Sequence, residues 1–245
     1  MDSVHETPTV RINEQVRSAF SLIQTKYVCN SGDDDFHVYN GLRKILCRLE
    51  ADETLSVCSG LGIQVNTVES NEPIGQTKFF KQTMSMWNDP FTRVRNYIAL
   101  FSNLSYAVHR TDVWKFSYAS LNEFEFPNTF VEILQAVIPL ALGKVDRLNE
   151  VYVLRHSHHR NAYTTVEQGD TSLDIFHDTF LSGLRRFSQR VIDLLRSCNV
   201  DMPEDAREQI ESSLKYMAYR NSVSLYGVKP RDWFPEPEGR ETVAF

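Results

Sequence analysis

Six apolar residues, Phe176, Phe180, Leu184, Phe187, Val191 and Leu194, recur three or four apart in the last third of the chain, and no other feature constrains the fold as strongly. Residues at that spacing share one side of an α-helix, and a helix with one apolar side must bury it against another element. Asp170 or Ser172 can cap this helix, while Arg185, Arg186, Arg190 and Arg196 lie towards its other side. The same period returns in Ala206, Ile210, Leu214 and Met217 after Pro203, and in Val38, Leu42, Ile45, Leu46 and Leu49 after Asp33 to Asp35. It returns again in Phe91, Val94, Ile98, Phe101, Leu104 and Val108, opened by Asn88 or Asp89 as a cap and Pro90 at the first helical position.

Other segments are less regular. Val16, Phe20, Ile23 and Tyr27 suggest a first helix from about Asn13. From Thr54 to Gln82 the periodicity fails, and Gly60, Gly62, Pro73 and Gly75 predict a linker or a short strand pair. The aromatic stretch from Val113 to Phe130 suits a short strand or extended segment. A helix is expected from about Phe130 to Leu148, kinked at Pro139, then a strand fragment at "VYVL" and a long polar loop. Three prolines make the C-terminal tail extended. The expected architecture is mostly α: a four-helix-bundle-like core over 83–245, preceded by a helical extension and linker over 1–82.

Glycine (10) and proline (9) are scarce for 245 residues, which disfavours an all-β sandwich. A net charge of −6 excludes a free-standing basic nucleic-acid binder, though not a local basic groove. The start "MDSVHETPTVRINEQ" predicts no signal or transit peptide, and no window reaches the ~18 apolar residues of a membrane span. Cys29, Cys47, Cys58 and Cys198 have neither CxxC pairing nor zinc-ligand spacing, so reduced thiols are expected.

His156, His158 and His159 lie in a polar run that offers no rigid frame for a metal, so no metal and no cofactor is expected. "GLGIQ" lacks the third glycine of a dinucleotide loop, and no GxSxG, HExxH or P-loop occurs, so no enzyme is predicted. The arginines carry more information. Arg190 can pair with Asp193, but one acid cannot neutralise Arg185, Arg186 and Arg190 together. A solvated face and a phosphate-contact face fit these residues equally.

An ordered series of short motifs runs from Trp87 onward. Trp87, Asp89 and Pro90 form Trp-x-Asp-Pro; "DVWK" spans Asp112 to Lys115, with Trp114 inside it; Phe126-Pro127-Asn128 follows. "AVIPLALGKVDRLN" then carries Pro139, Leu140, Gly143, Asp146 and Asn149, and later come "RVIDLLR", Tyr219-Arg220-Asn221-Ser222 and Trp233. In order and approximate spacing this series resembles the coat proteins of rod-shaped plant viruses of the tobamovirus type. Departures are plain: Leu148 and Glu150 stand where that family has two RNA-touching arginines, with Arg147 one place off. The helix from Pro203 to Met217 reads as an insertion, and residues 1–86 have no counterpart.

The resemblance implies a capsid protein that self-assembles helically around single-stranded RNA, located in the virion and host cytoplasm, without contact to a membrane. Its RNA-binding candidates are Arg147, Arg155, Arg185, Arg186 and, more remotely, Arg190, with Asp178 orienting an arginine or ribose. Asp112 is the candidate intersubunit carboxylate, Asp146 its stand-in partner, which implies a weaker pH switch than the family's. Trp87, Asp89, Pro90, Trp114, Phe126, Pro127 and Asn149 are expected to be structural. Two other classes fit the composition: an all-α scaffold or adaptor, and a viral nucleoprotein that binds RNA without forming rods.

Overall fold

A computed structural model describes residues 16–67, 77–121, 128–158 and 178–226. Its centre is a curled mixed sheet of six strands, a half-barrel, and not a four-helix bundle. The strands are β1 (Tyr27–Val28), β2 (Phe36–His37), β3 (Leu55–Thr67), β4 (Thr77–Lys81), β5 (Val108–Arg110) and β6 (Lys144–His158). Their spatial order is β1-β5-β3-β6-β2, with β4 also paired to β3. The long strands β3 and β6 run parallel from Leu55↔Lys144 to Thr67↔His158; the other pairings are antiparallel. The sheet therefore joins strands from both sides of position 82.

Helices α1 (Tyr39–Ala51), α2 (Pro90–Ala99), α3 (Thr111–Ala119), α4 (Asn128–Leu142), α5 (Asp178–Ser197) and α6 (Ala206–Tyr226) complete the described architecture, with a 3-10 turn at Phe20–Leu22. Helix α1 packs on β3 and β6, while α2 contacts α4 and α6, and α5 contacts α4 and α6. Two apolar cores result. One lies among the helices α2, α4, α5 and α6 and takes in Val57 and Val145 from the sheet; the other joins Ile45 and Leu49 of α1 to Leu55, Cys58, Val108, Tyr152 and Val153.

The expectation of a mostly helical chain fails at three places, each with a physical reason. Of the breakers read between Thr54 and Gln82, Gly60 and Gly62 lie inside β3, where they permit close approach, while Pro73 and Gly75 lie outside the described residues. A Cβ on Gly60 would sit 2.3 Å from the Glu150 carbonyl oxygen, and one on Gly62 would sit 2.0 Å from the Phe80 ring. The helix expected to reach Leu148 ends at Leu142, and Lys144 already belongs to β6. Irregularities between Ser59/Leu61 and Leu61/Gly62 break the alternation of β6, so its apolar residues mimic helical spacing. Of the aromatic stretch expected to be extended, Val113 to Ala119 forms α3, burying Val113, Trp114, Ser117 and Tyr118 on one side, and residues 122–127 lie outside the described residues.

The first expected helix is likewise reduced to a short helical turn and the 3-10 turn before β1. Helix α1 has no side-chain cap; Asp35 instead accepts from Gly32 N–H and from His156 N–H on β6, both at 3.1 Å. Helix α2 stops at Ala99, so Leu104 lies in a loop and Val108 in β5. Its start is purely local: Asp89 Oδ2 accepts from Thr92 N–H at 2.6 Å, and Pro90 is its first residue. Trp87 remains 58% exposed. Phe126 and Pro127 lie outside the described residues, as do the expected caps Asp170 and Ser172.

Candidate nucleic-acid interface

Helix α5 forms because its apolar stripe has a matching surface. Leu184, Phe187, Val191, Leu194 and Leu195 are buried against the neighbouring helices, and the Phe187 ring lies 4.7 Å from that of Phe130. The outer side carries Arg185, Arg186, Asp193 and Arg196, all exposed, and Gln189. Asp193 bonds Arg196 at 3.2 Å and Gln189 at 2.9 Å, not the expected Arg190. Phe176 lies outside the described residues, and of Asp178 only its place as the first residue of α5 is described.

Arg190 points inward across the helix: its Nη2 donates to the Ser120 carbonyl at 2.6 Å. That bond is part of a wider pattern. Four of the described helices have their C-terminal carbonyls bonded by guanidiniums from distant positions. Arg110 donates to Leu49 O and Asp52 O at the end of α1, and Arg220 to Ala99 O at the end of α2. Arg190 and Arg17 share the end of α3 through Ser120 O and Leu121 O, and Arg93 donates to Leu140 O and Ala141 O at the end of α4. The last carbonyls of a helix lack intrahelical partners and carry the negative end of its dipole, so a cation with several donors suits them. No local motif announces this use of arginine, because donor and acceptor are up to 121 positions apart.

Of the other candidates, Arg147 donates to the Gln82 carbonyl at 2.7 Å, and its own N–H bonds Asp146 Oδ1. Arg155 lies over the Tyr106 ring, 5.2 Å from its centroid, and its charge acts on Glu132. The structure thus separates Arg147 and Arg190, bonded to distant backbone carbonyls, from Arg185 and Arg186 on the exposed side of α5. Asp146 accepts from Arg48 Nε at 2.7 Å within the same chain, whereas Asp112 is exposed in the first turn of α3. Asn149 is exposed at the irregular stretch of β6.

Sequence reading missed a narrow polar chamber beneath α3 and α4, lined by Asn103, Ser105, His109, Trp114, Tyr118, Glu132 and Gln135 among others. Burial pushes the Glu132 carboxyl up to about 6, partly offset by Arg155, and pushes His109 down to about 4. The His109 Nε2 lies 3.1 Å from the Leu104 carbonyl, which fixes the proton on that nitrogen in the neutral ring. Trp114 Nε1 and His109 Nδ1 are buried without a hydrogen-bond partner among the described residues.

The Cys29 Sγ lies 3.9 Å from His37 Nε2, yet burial raises the thiol's pKa, the opposite of an activated nucleophile. His156 Nδ1 lies 3.8 Å from Asp34, and His159 is outside the described residues. Among the described residues no group of three or more His, Cys, Asp or Glu side chains could hold a metal ion, and no helix is long and apolar enough to cross a membrane. No protein-family model matches the chain, and no curated protein matches it either.

Proposed function

We propose that this chain is a structural, capsid-type protein that coats single-stranded RNA in many copies, contacting phosphates through the outer side of α5. The observation that supports this most directly is the exposure of Arg185 and Arg186 on a helix whose opposite side is locked into the core. A guanidinium on the exposed side of a helix can hold phosphate oxygens in pairs. The ordered motifs from Trp87 onward suggest this reading, but the four-helix bundle they imply is not the fold, so the proposal stands on α5.

The net charge of −6 is compatible with this role. Each copy needs only a few phosphate contacts, because copies linked along one RNA gain through effective concentration. The role rests on a mixed sheet with flanking helices, and the rod geometry of a four-helix bundle forms no part of it.

Fluorescence anisotropy with a labelled single-stranded RNA oligomer, run across a salt series, tests the reading. Affinity should fall steeply with salt, with a slope of roughly 1 to 3 for that many phosphate contacts. Electron microscopy of the protein with long RNA should show regularly coated strands. Affinity that is negligible at low salt, or indifferent to salt, overturns the reading.

A further inference from the structure

Four apolar residues stand in one line across the sheet. Phe79 of β4 is opposite Ile63 of β3, Ile63 is opposite Leu154 of β6, and Leu154 is opposite Phe36 of β2. Directly paired residues share a face. On the other face the matching line is Phe80, Gly62, Val153 and His37, where Val153 is buried and Phe80 packs over Gly62 in the core beneath α1. On the first face, Val57 and Val145 at the near end are covered by the helices. Further along, the cover from the described residues stops: Phe79 is 74% and Phe36 68% exposed, with Ile63 and Leu154 only partly buried between them.

We propose that this uncovered end of the sheet is a self-association surface, onto which the same face of a second copy of the chain packs. The inference deepens the multi-copy role proposed above and rests on it. The line favours a second copy over a foreign partner because its chemistry is the same in both directions, aromatic, aliphatic, aliphatic, aromatic. A two-fold axis between two such faces, whether along the strands or along the line, sets aromatic ends on aromatic ends and aliphatic centres on aliphatic centres. Two sheets facing each other about 10 Å apart interdigitate side chains in this way.

The size of the patch points to how it is used. Four strands about 4.8 Å apart put the ends of the line about 14 Å apart, so the patch is well under the roughly 800 Å² per partner of a stable interface. A contact of that size does not hold an isolated dimer at low concentration. It suits a contact made weakly and repeatedly among copies held along one strand of RNA.

Sedimentation velocity of the full chain without RNA, over rising concentration, tests the proposal. The sedimentation coefficient should rise with concentration, and Phe79→Lys should lower the association constant by about tenfold or more. Phe36→Lys, at the other end of the line on a two-residue strand, should do the same. Both side chains are exposed, and far-ultraviolet circular dichroism reports whether each variant keeps its fold. A wild-type chain that stays monomeric at every concentration overturns the proposal, as do folded variants that associate like wild type. So does a chain ending at Tyr226 that associates where the full chain does not, since residues 227–245 would then be what covers the face. Binding of a short RNA oligomer, which holds one copy at a time, is independent of this face. Its loss with self-association intact counts against the RNA reading alone, and the reverse result counts against this surface alone.

Discussion

Arg93 donates from Nε to the carbonyl of Leu140 at 2.7 Å, although the two residues lie on different helices and Arg93 is only 5% exposed. The same guanidinium reaches Ala141 O, Trp87 O and Asn88 O. It closes the end of α4 and ties down the chain entering α2, so one side chain fixes the junction between both helices and the sheet start at Lys144. Burial lowers its pKa, with Asp89 partly offsetting that.

Replacing Arg93 with Met leaves four carbonyls short of a donor and should cost about 3 kcal/mol of stability, read as a lower urea midpoint. Arg93→Lys should recover little, because a single ammonium cannot span the same acceptors. A Lys variant as stable as wild type contradicts this role.

Arg185 and Arg190 stand five positions apart on α5 but should separate cleanly in their effects. Arg190→Gln loses the bond to Ser120 O and should lower stability by about 1 kcal/mol, with RNA affinity changed little. Arg185→Gln should leave the thermal midpoint nearly unchanged and reduce the salt slope of RNA binding by roughly 1. The opposite assignment of effects contradicts the division between helix closure and phosphate contact.

Gly41 lies in the first turn of α1, where alanine ordinarily stabilises a helix by about 1 kcal/mol. A Cβ there would sit 2.1 Å from the Val151 carbonyl oxygen and 2.7 Å from Tyr152 Cα, both backbone atoms of β6. Gly41→Ala should therefore destabilise, by roughly 2 kcal/mol, because α1 must lift off the sheet. Chemical denaturation decides the sign, and a stabilised variant refutes the close approach.

Glu132 and His109 line the same chamber and should tilt stability in opposite directions with pH. The folded state holds the Glu132 proton up to about 6, above the ordinary 4.5, so its contribution is full below about 4.5 and is lost as pH rises through 6. That amounts to roughly 2 kcal/mol. His109 is held neutral down to about 4 against an ordinary 6.5, so its contribution is full above 6.5 and is lost as pH falls towards 4. Tyr97 and Tyr118 remain neutral throughout, since burial raises both. Measured against pH, the stability difference between wild type and Glu132→Gln should shift in favour of the variant between pH 4.5 and 6. A constant difference contradicts a buried Glu132.

Much of the helical content is legible in the amino-acid sequence. The apolar period places helices α5 and α6, and Asp89 and Pro90 mark where α2 starts, while the period runs past its end at Ala99. Ala206, Ile210, Leu214 and Met217 are all buried, as their spacing requires. The sheet is not legible, because Gly60 and Gly62 signal a turn when read locally and close packing once Tyr152 and Phe80 are in place. The candidate site is half legible: spacing singles out the outer arginines of α5 together with Arg190, the resemblance adds Arg147, and neither distinguishes the two kinds.

Interactions that span a few residues are written into the chain where they occur: the capping of Thr92 by Asp89, and the stripe that puts Leu184, Phe187 and Val191 on one side of a helix. Folding of the whole molecule was needed to settle the rest. It set where each strand found its partner, which arginines went to helix ends, and which apolar side chains, Phe36 and Phe79 among them, were left facing outward. Separation along the chain makes the difference. A hydrogen bond between neighbours is encoded where it is made, whereas a carbonyl at Ala99 receives its donor from Arg220 only after all the chain between them has folded.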